Sequence, residues 1–233
     1  MKPDSTIDDL SDLNIEVIRT DRKKTASIRL RDGQVQIVVP RRMSQRRIDD
    51  ILQEKAGWIR RAVLRDACRP RYQPKVFRPG EIFTYLGRDY ALNPIPEKLD
   101  WPRLDGDRLL VSTGASADIQ TQVRAFYVHA ASRYLPDRTA DIAPMMQADP
   151  ASITIKHYKA RWGACNTRGE IFYNWRIIIA PAAVVDYVIV HELAHLHHHN
   201  HSRDFWSCVE ATMPDYKVHK AWLKEHNDML RID

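Results

Sequence analysis

Only three cysteines, Cys68, Cys165 and Cys208, occur in 233 residues. They are too few and too odd in number for a disulfide framework, and no two have the spacing of a cysteine-ligated zinc site. They read as reduced thiols. Missing too is any apolar run of membrane-spanning length, and Met1 to Asp12 is polar and acidic where a secretory leader would carry an apolar stretch. A cytoplasmic protein without a membrane partner is the expectation. No internal repeat is visible, which excludes solenoids and propellers. Beyond a short histidine run there is no low-complexity segment.

What is present suits a soluble globular protein: 44% hydrophobic and 28% charged residues, over a length that allows one large or two small domains. The net charge of +6 is unevenly spread. Residues 1–110 hold 23 Lys/Arg and 17 Asp/Glu, whereas residues 111–233 hold 13 of each, so the excess lies in the first half. It clusters at Arg41-Arg42, Arg46-Arg47, Arg60-Arg61, Arg65, Arg69 and Arg71. The plain reading is a solvated helix face. The sharper one is a docking surface for nucleic acid, acidic protein or phosphate, with Trp58 or Trp101 available for stacking unless they are core.

The richest chemistry sits in His191-Glu192-Leu193-Ala194-His195. On a helix, residues four apart differ by roughly 40° around the axis, so His191 and His195 share a face and can grip one metal ion. Glu192, one step round, is placed to reach a water on that ion. The flanking Val184, Val185, Val188, Ile189, Leu193 and Leu196 predict a buried helix opened by Pro181, where ionisable groups need a partner or a metal. A catalytic site wants a third ligand and an open position. His199 and His201 compete for the third place. Asn200 can turn the chain in a left-handed conformation and Ser202 can cap a following helix, so His201 is favoured in a turn folding back under the first helix. His197 and His198 read as a solvated helix end.

Upstream, strands are expected at 15–20, 26–31 and 34–39, with Asp32-Gly33 as a hairpin turn. Ser44 should cap one helix running to about Ala67. Prolines between 69 and 80 mark a linker or arm, and 82–86 with 90–93 suggest a second hairpin around Gly87. A further strand at 109–112, helices at 115–134 and 137–147, and strands at 153–157, 170–173 and 175–179 precede the histidine helix. Two helices, near 202–212 and 215–227, follow it.

Arg161-Trp162-Gly163-Ala164-Cys165, Asn174-Trp175-Arg176, His191-Glu192-Leu193-Ala194-His195 and Asn200-His201-Ser202 followed by Phe205-Trp206 occur in that order. In this the chain resembles the YgjP-like metallopeptidases, a zincin group related to the SprT-like proteases; Ala164 stands where that family usually has Ser. The resemblance implies zinc at His191, His195 and His201 with Glu192 as catalytic base. It also implies an α+β fold in which a zincin-like catalytic domain packs its HExxH helix on a small antiparallel sheet, preceded by a β-rich and helical N-terminal region. The expected division is a flexible tail at 1–12, β-hairpins plus a basic helix at 13–112, and the metal-binding domain at 113–233.

The expected activity is zinc-dependent hydrolysis of a peptide or protein substrate. Arg161 is the first candidate to hold the developing oxyanion, its other role being a buried arginine that bonds loop carbonyls. Asp186, Asp204 and Glu210 are candidates to orient the ligand imidazoles. Gly163 is expected at a turn needing positive φ. Two other functions fit the same residues: a zinc hydrolase of nucleotide phosphoanhydrides, and a nucleic-acid-associated protein whose metal is structural.

Overall fold

The computed structural model describes residues 10–22, 24–31, 33–67, 73–114 and 118–232. The chain divides into two compact units, Met1–Arg69 and Pro70–Asp233.

In the first unit, β1 (Ile15–Thr20), β2 (Ser27–Arg31) and β3 (Gln34–Pro40) form one sheet in the order β1-β3-β2. The most apolar strand, β3, is central, with Val35, Ile37, Val38 and Val39 buried. β2 and β3 pair antiparallel, and Gly33 takes the positive φ of 78° that the Asp-Gly pair predicts; Asp32 lies outside the described residues. β1 joins β3 parallel and so makes no hairpin, because β3 takes a partner on each edge. Ser44 caps as expected, accepting from the Arg47 amide at 3.4 Å. The single expected helix is two, α1 (Gln45–Glu54) and α2 (Ala56–Ala67), parted where Lys55 leaves helical geometry (φ −101°, ψ 5°). Ile48 and Ile59, both fully buried, pin the pair to the sheet residues Val35, Ile37 and Val39. The expected loose tail is fixed at its end: Leu10 is buried in this core and both Asp12 oxygens accept from Arg60. Residues 1–9 of that tail lie outside the described residues.

The second unit opens with β4 (Ile82–Tyr85), β5 (Arg88–Ile95), β6 (Arg103–Asp105) and β7 (Arg108–Ser112), in the order β4-β5-β7-β6. The long helix α3 (Ile119–Ile142) follows, with Asp118 accepting from the Thr121 amide at 2.7 Å. Two helices were expected here, but Pro136 lies inside one. The amide it lacks would have bonded the carbonyl of Ser132, which is exposed to solvent, so the cost of one helix is small there. The expected boundary at 112–113 falls inside this unit. Phe83, Leu92, Leu109 and Val111 share a core with Val123, Tyr127 and Leu135 of α3. The Gln122 amide further ties α3 to β7 by bonding both Ser112 N and O at 2.9 Å.

A third sheet holds β8 (Ser152–Lys156), β9 (Gly163–Cys165) and β10 (Glu170–Asn174), in the order β8-β10-β9. Only β9–β10 is antiparallel as expected. β8 runs parallel to β10, because the chain crosses to the far edge before the β9–β10 hairpin returns it to the middle. Residues Trp175–Ile179 form a 3-10 turn rather than a strand, begun when Asn174 Oδ1 accepts from the Arg176 amide at 3.3 Å. Three helices complete the unit: α4 (Ala182–His197), α5 (Arg203–Thr212) and α6 (Tyr216–His226). The architecture is α+β. No helix among the described residues is long and apolar enough to cross a membrane.

Candidate metal centre

The helix α4 starts after Pro181 and buries Val184, Val185, Val188, Ile189 and Leu193 in the main core. His191 and His195 project from its last turns. The helix ends at His198, which is extended (φ −138°, ψ 103°), so the stop is not a left-handed Asn200. Asn200 works through its side chain instead: Oδ1 accepts from the Ser202 amide at 3.1 Å. Ser202 then caps α5 by accepting from the Phe205 amide at 3.4 Å. This two-step turn carries His201 back over α4.

Three imidazoles thereby converge. One nitrogen from each of His191, His195 and His201 lies within 4.8 Å of the others, and among the described residues the group has three members. His199 lines the same cavity but stands outside the group. Phe205, fully buried, is the floor, with its ring 5.0, 4.6 and 4.8 Å from those of His191, His195 and His201. Trp206 stacks on His201 (5.7 Å, 23°) and on Tyr216 (5.3 Å, 15°), with Lys220 Nζ 3.8 Å over its ring. These aromatic supports carry no polar signal in the sequence, and only the nearness of Phe205-Trp206 to His201 hinted at them.

The donor set fits a tetrahedral metal ion. Nε2 of His191 and Nε2 of His201 face each other at 3.1 Å. Two nitrogens bound to one ion at about 2.0–2.1 Å stand roughly 3.3 Å apart. Burial, then the neighbouring His195 and His201, push His191 down to about 3, and burial also lowers His195, so both imidazoles are neutral and carry a lone pair at neutral pH. Nδ1 of His195 donates to the His198 carbonyl at 3.1 Å, which fixes the tautomer and leaves Nε2 as the lone-pair nitrogen. A backbone carbonyl thus does what a carboxylate was expected to do. Asp186 is held by Arg138 at 2.8 and 2.9 Å and Glu210 by Lys217 at 3.1 Å. Asp204 sits exposed in the first turn of α5.

Glu192 is 4% exposed, and burial raises its carboxyl from 4.5 to about 8, against a smaller opposing pull from Arg161. It opens onto a cavity of about 630 Å³ lined also by the three histidines, Arg161 and residues Gly163–Thr167. Among the described residues none donates a hydrogen bond to its carboxylate. Gly163 does not have the positive φ expected of it; glycine is needed there for clearance. A Cβ at that position would lie 2.6 Å from Glu192 Cγ and 2.7 Å from Cδ.

Asn174 holds the neighbouring loop, its side-chain amide donating to the carbonyls of Tyr158 (2.9 Å) and Arg161 (3.0 Å) while its backbone amide donates to Trp162 O (2.8 Å). The buried arginine that bonds a loop carbonyl is Arg176, reaching Tyr158 O at 2.7 Å. Arg161 is exposed, its guanidinium 5.5 Å from the centre of the Tyr158 ring, and it lines the cavity. Cys165 lines it too, half-buried, with burial and then Glu192 pushing its thiol up to about 11.

The histidine trio could hold one metal ion, and a buried carboxyl stands beside it. Residues 24–226 match the model of the YgjP-like metallopeptidase domain, and the chain belongs to that family. Its members are metal-dependent hydrolases of peptides by description. Part of the chain is also similar to the crystal structure of the metallopeptidase zymogen of Pyrococcus abyssi abylysin. That likeness has 20% identity and a TM-score of 0.38, and spans 42% of this chain and 97% of that one. No curated protein matches the chain.

Proposed function

We propose that the chain is a zinc-dependent metallopeptidase in which His191, His195 and His201 hold the ion and Glu192 is the general base. The observation that carries this reading is Glu192 itself. A carboxyl buried next to an imidazole trio, raised to about 8 and bound by no donor among the described residues, makes no bond that ties the fold together. Zinc held there supplies Lewis acidity, which activates water and polarises a carbonyl. Glu192 accepts the proton from the attacking water and returns it to the leaving amine nitrogen. Its position beside the histidine trio and open to the cavity puts it within reach of a water there. Arg161, on the cavity wall, offers its guanidinium to the negative charge that develops on the carbonyl oxygen.

Peptide is favoured as substrate by the wall opposite α4. β9 is an edge strand, and its residues Gly163–Cys165 line the cavity. An extended chain can pair with that edge through main-chain hydrogen bonds, which supply affinity with little side-chain selection.

The test compares wild type with Glu192→Gln, both loaded with zinc, on a peptide mixture read by mass spectrometry and on nucleoside triphosphates read by phosphate release. Peptide cleavage that is lost on chelation, restored by zinc and reduced about 10²–10⁴-fold in Glu192→Gln is expected. Wild-type turnover by a pure, zinc-loaded Glu192→Gln sinks the assignment of the base. Phosphate release without peptide cleavage sinks the assignment of the substrate.

A further inference from the structure

One surface of the first unit is explained by neither its sheet nor its core. Residues 41–65 contain eight Lys/Arg and three Asp/Glu, a net +5 in a chain whose total is +6. Two of these arginines are tied: Arg41 to Asp21 at 2.9 Å and Arg60 to Asp12. Arg42, Arg46, Arg61 and Arg65 are exposed, and their side chains take part in no hydrogen bond or ion pair among the described residues. The inward side of α2 is accounted for by Ala56 and Ile59 in the core, with Val63 packed against it. Its outward side presents Trp58, Arg61, Leu64 and Arg65. Steps of three and four residues put Trp58, Arg61 and Arg65 on one face of the helix.

The indole is the telling group. Trp58 is 42% exposed and makes no ring or cation contact among the described residues, whereas Trp101, also exposed, stacks on His129 at 5.2 Å and 16°. A face kept only for solubility has no need of an uncovered indole within two turns of two unpaired guanidinium groups. A base has a flat face for Trp58, and phosphates match the fork of an arginine. An acidic peptide satisfies the arginines and leaves the indole without a role.

We infer that the outward face of α2 binds single-stranded nucleic acid, Arg61 and Arg65 on phosphates and Trp58 stacked on a base, with Arg42 before α1 and Arg46 in its first turn meeting two further phosphates along the strand. This surface is distinct from the histidine cavity, and its use does not depend on the peptidase reading.

The experiment titrates the full, zinc-loaded chain into a fluorescent 20-nucleotide single strand of mixed sequence, DNA and RNA in turn, and reads anisotropy from 50 to 200 mM salt. Four phosphate contacts give a slope of log affinity on log salt near −2.8, so affinity falls about 50-fold across that range. Arg61→Gln with Arg65→Gln should halve the slope to about −1.4, and Trp58→Ala should weaken binding about tenfold. Both variants should keep the wild-type melting temperature and peptide turnover, since no catalytic group is touched. Three results overturn the inference: no binding at 50 mM salt, wild-type affinity in both variants, or equal binding of polyglutamate or anionic vesicles.

Discussion

Gly163→Ala isolates one feature of the site. The backbone at Gly163 lies outside the positive-φ region, so alanine carries no conformational penalty there and the added methyl is the only perturbation. That Cβ would sit 2.6 Å from Glu192 Cγ. Carbon atoms are comfortable at about 3.5 Å or more, so the two groups must part by about 0.9 Å. Glu192 cannot retreat, because the next residues along α4, Leu193 and Ala194, are themselves fully buried. β9 cannot retreat freely either, since the bonds from Asn174 to the Arg161 and Trp162 carbonyls anchor the loop that enters it. The carboxylate therefore swings towards the cavity. A misplacement of about 1 Å costs roughly 10²-fold in rate, about 2.7 kcal/mol of transition-state stabilisation. Overpacking adds about 1–3 kcal/mol of lost stability, visible as a melting temperature several degrees lower. The assay is kcat/KM on a cleavable peptide beside metal content, which should stay at one ion per chain because no histidine moves. A Gly163→Ala enzyme within threefold of wild-type kcat/KM would refute the reasoning.

Further outcomes are expected from the same geometry. His201→Ala should lose bound metal while His199→Ala keeps it, by metal analysis of purified protein; the reverse pattern restores His199 as the third ligand. Trp206→Leu removes the ring stacked on His201 and should weaken zinc about tenfold in a chelator competition, with the fold retained by circular dichroism. In metal-free protein, Glu192 raised to about 8 contributes stability that is complete below its unfolded value of 4.5 and is lost as pH rises towards 8. His191, lowered to about 3, acts oppositely, and its contribution is lost as pH falls below 6.5. His195, also lowered, adds to the His191 term, and both fade above pH 6.5, so between pH 6.5 and 8 urea midpoints should drop for wild type relative to Glu192→Gln.

Much of this centre is legible in the chain because its parts are local. The four-residue step that aligns His191 with His195 is a property of any helix, and the Asn200-Ser202 pair turns the chain within three residues whichever of them supplies the bend. Glu192 is next to the first imidazole by sequence alone. The features that the sequence does not show depend on residues distant along the chain. Nothing around Gly163 says that Glu192, 29 positions on, fills the space where a side chain would stand. Of the two roles open to Arg161, the buried arginine that bonds loop carbonyls falls to Arg176 instead, because exposure is decided by packing that a local motif does not encode. Asn174 ends a strand and starts a 3-10 turn, and apolar residues at 175–179 read equally well as either. The partition at 112–113 falls inside a unit for a related reason: a short apolar run marks β7 as a strand, but only the shared core assigns it to the helix that follows.

X-ray absorption at the zinc edge on the reconstituted, ligand-free protein tests the central claim most directly. The account predicts three imidazole nitrogens and one exchangeable oxygen at about 2.0–2.1 Å, with an unchanged spectrum for Glu192→Gln. A sulfur in the shell, a fourth protein ligand, or fewer than three imidazoles would contradict it.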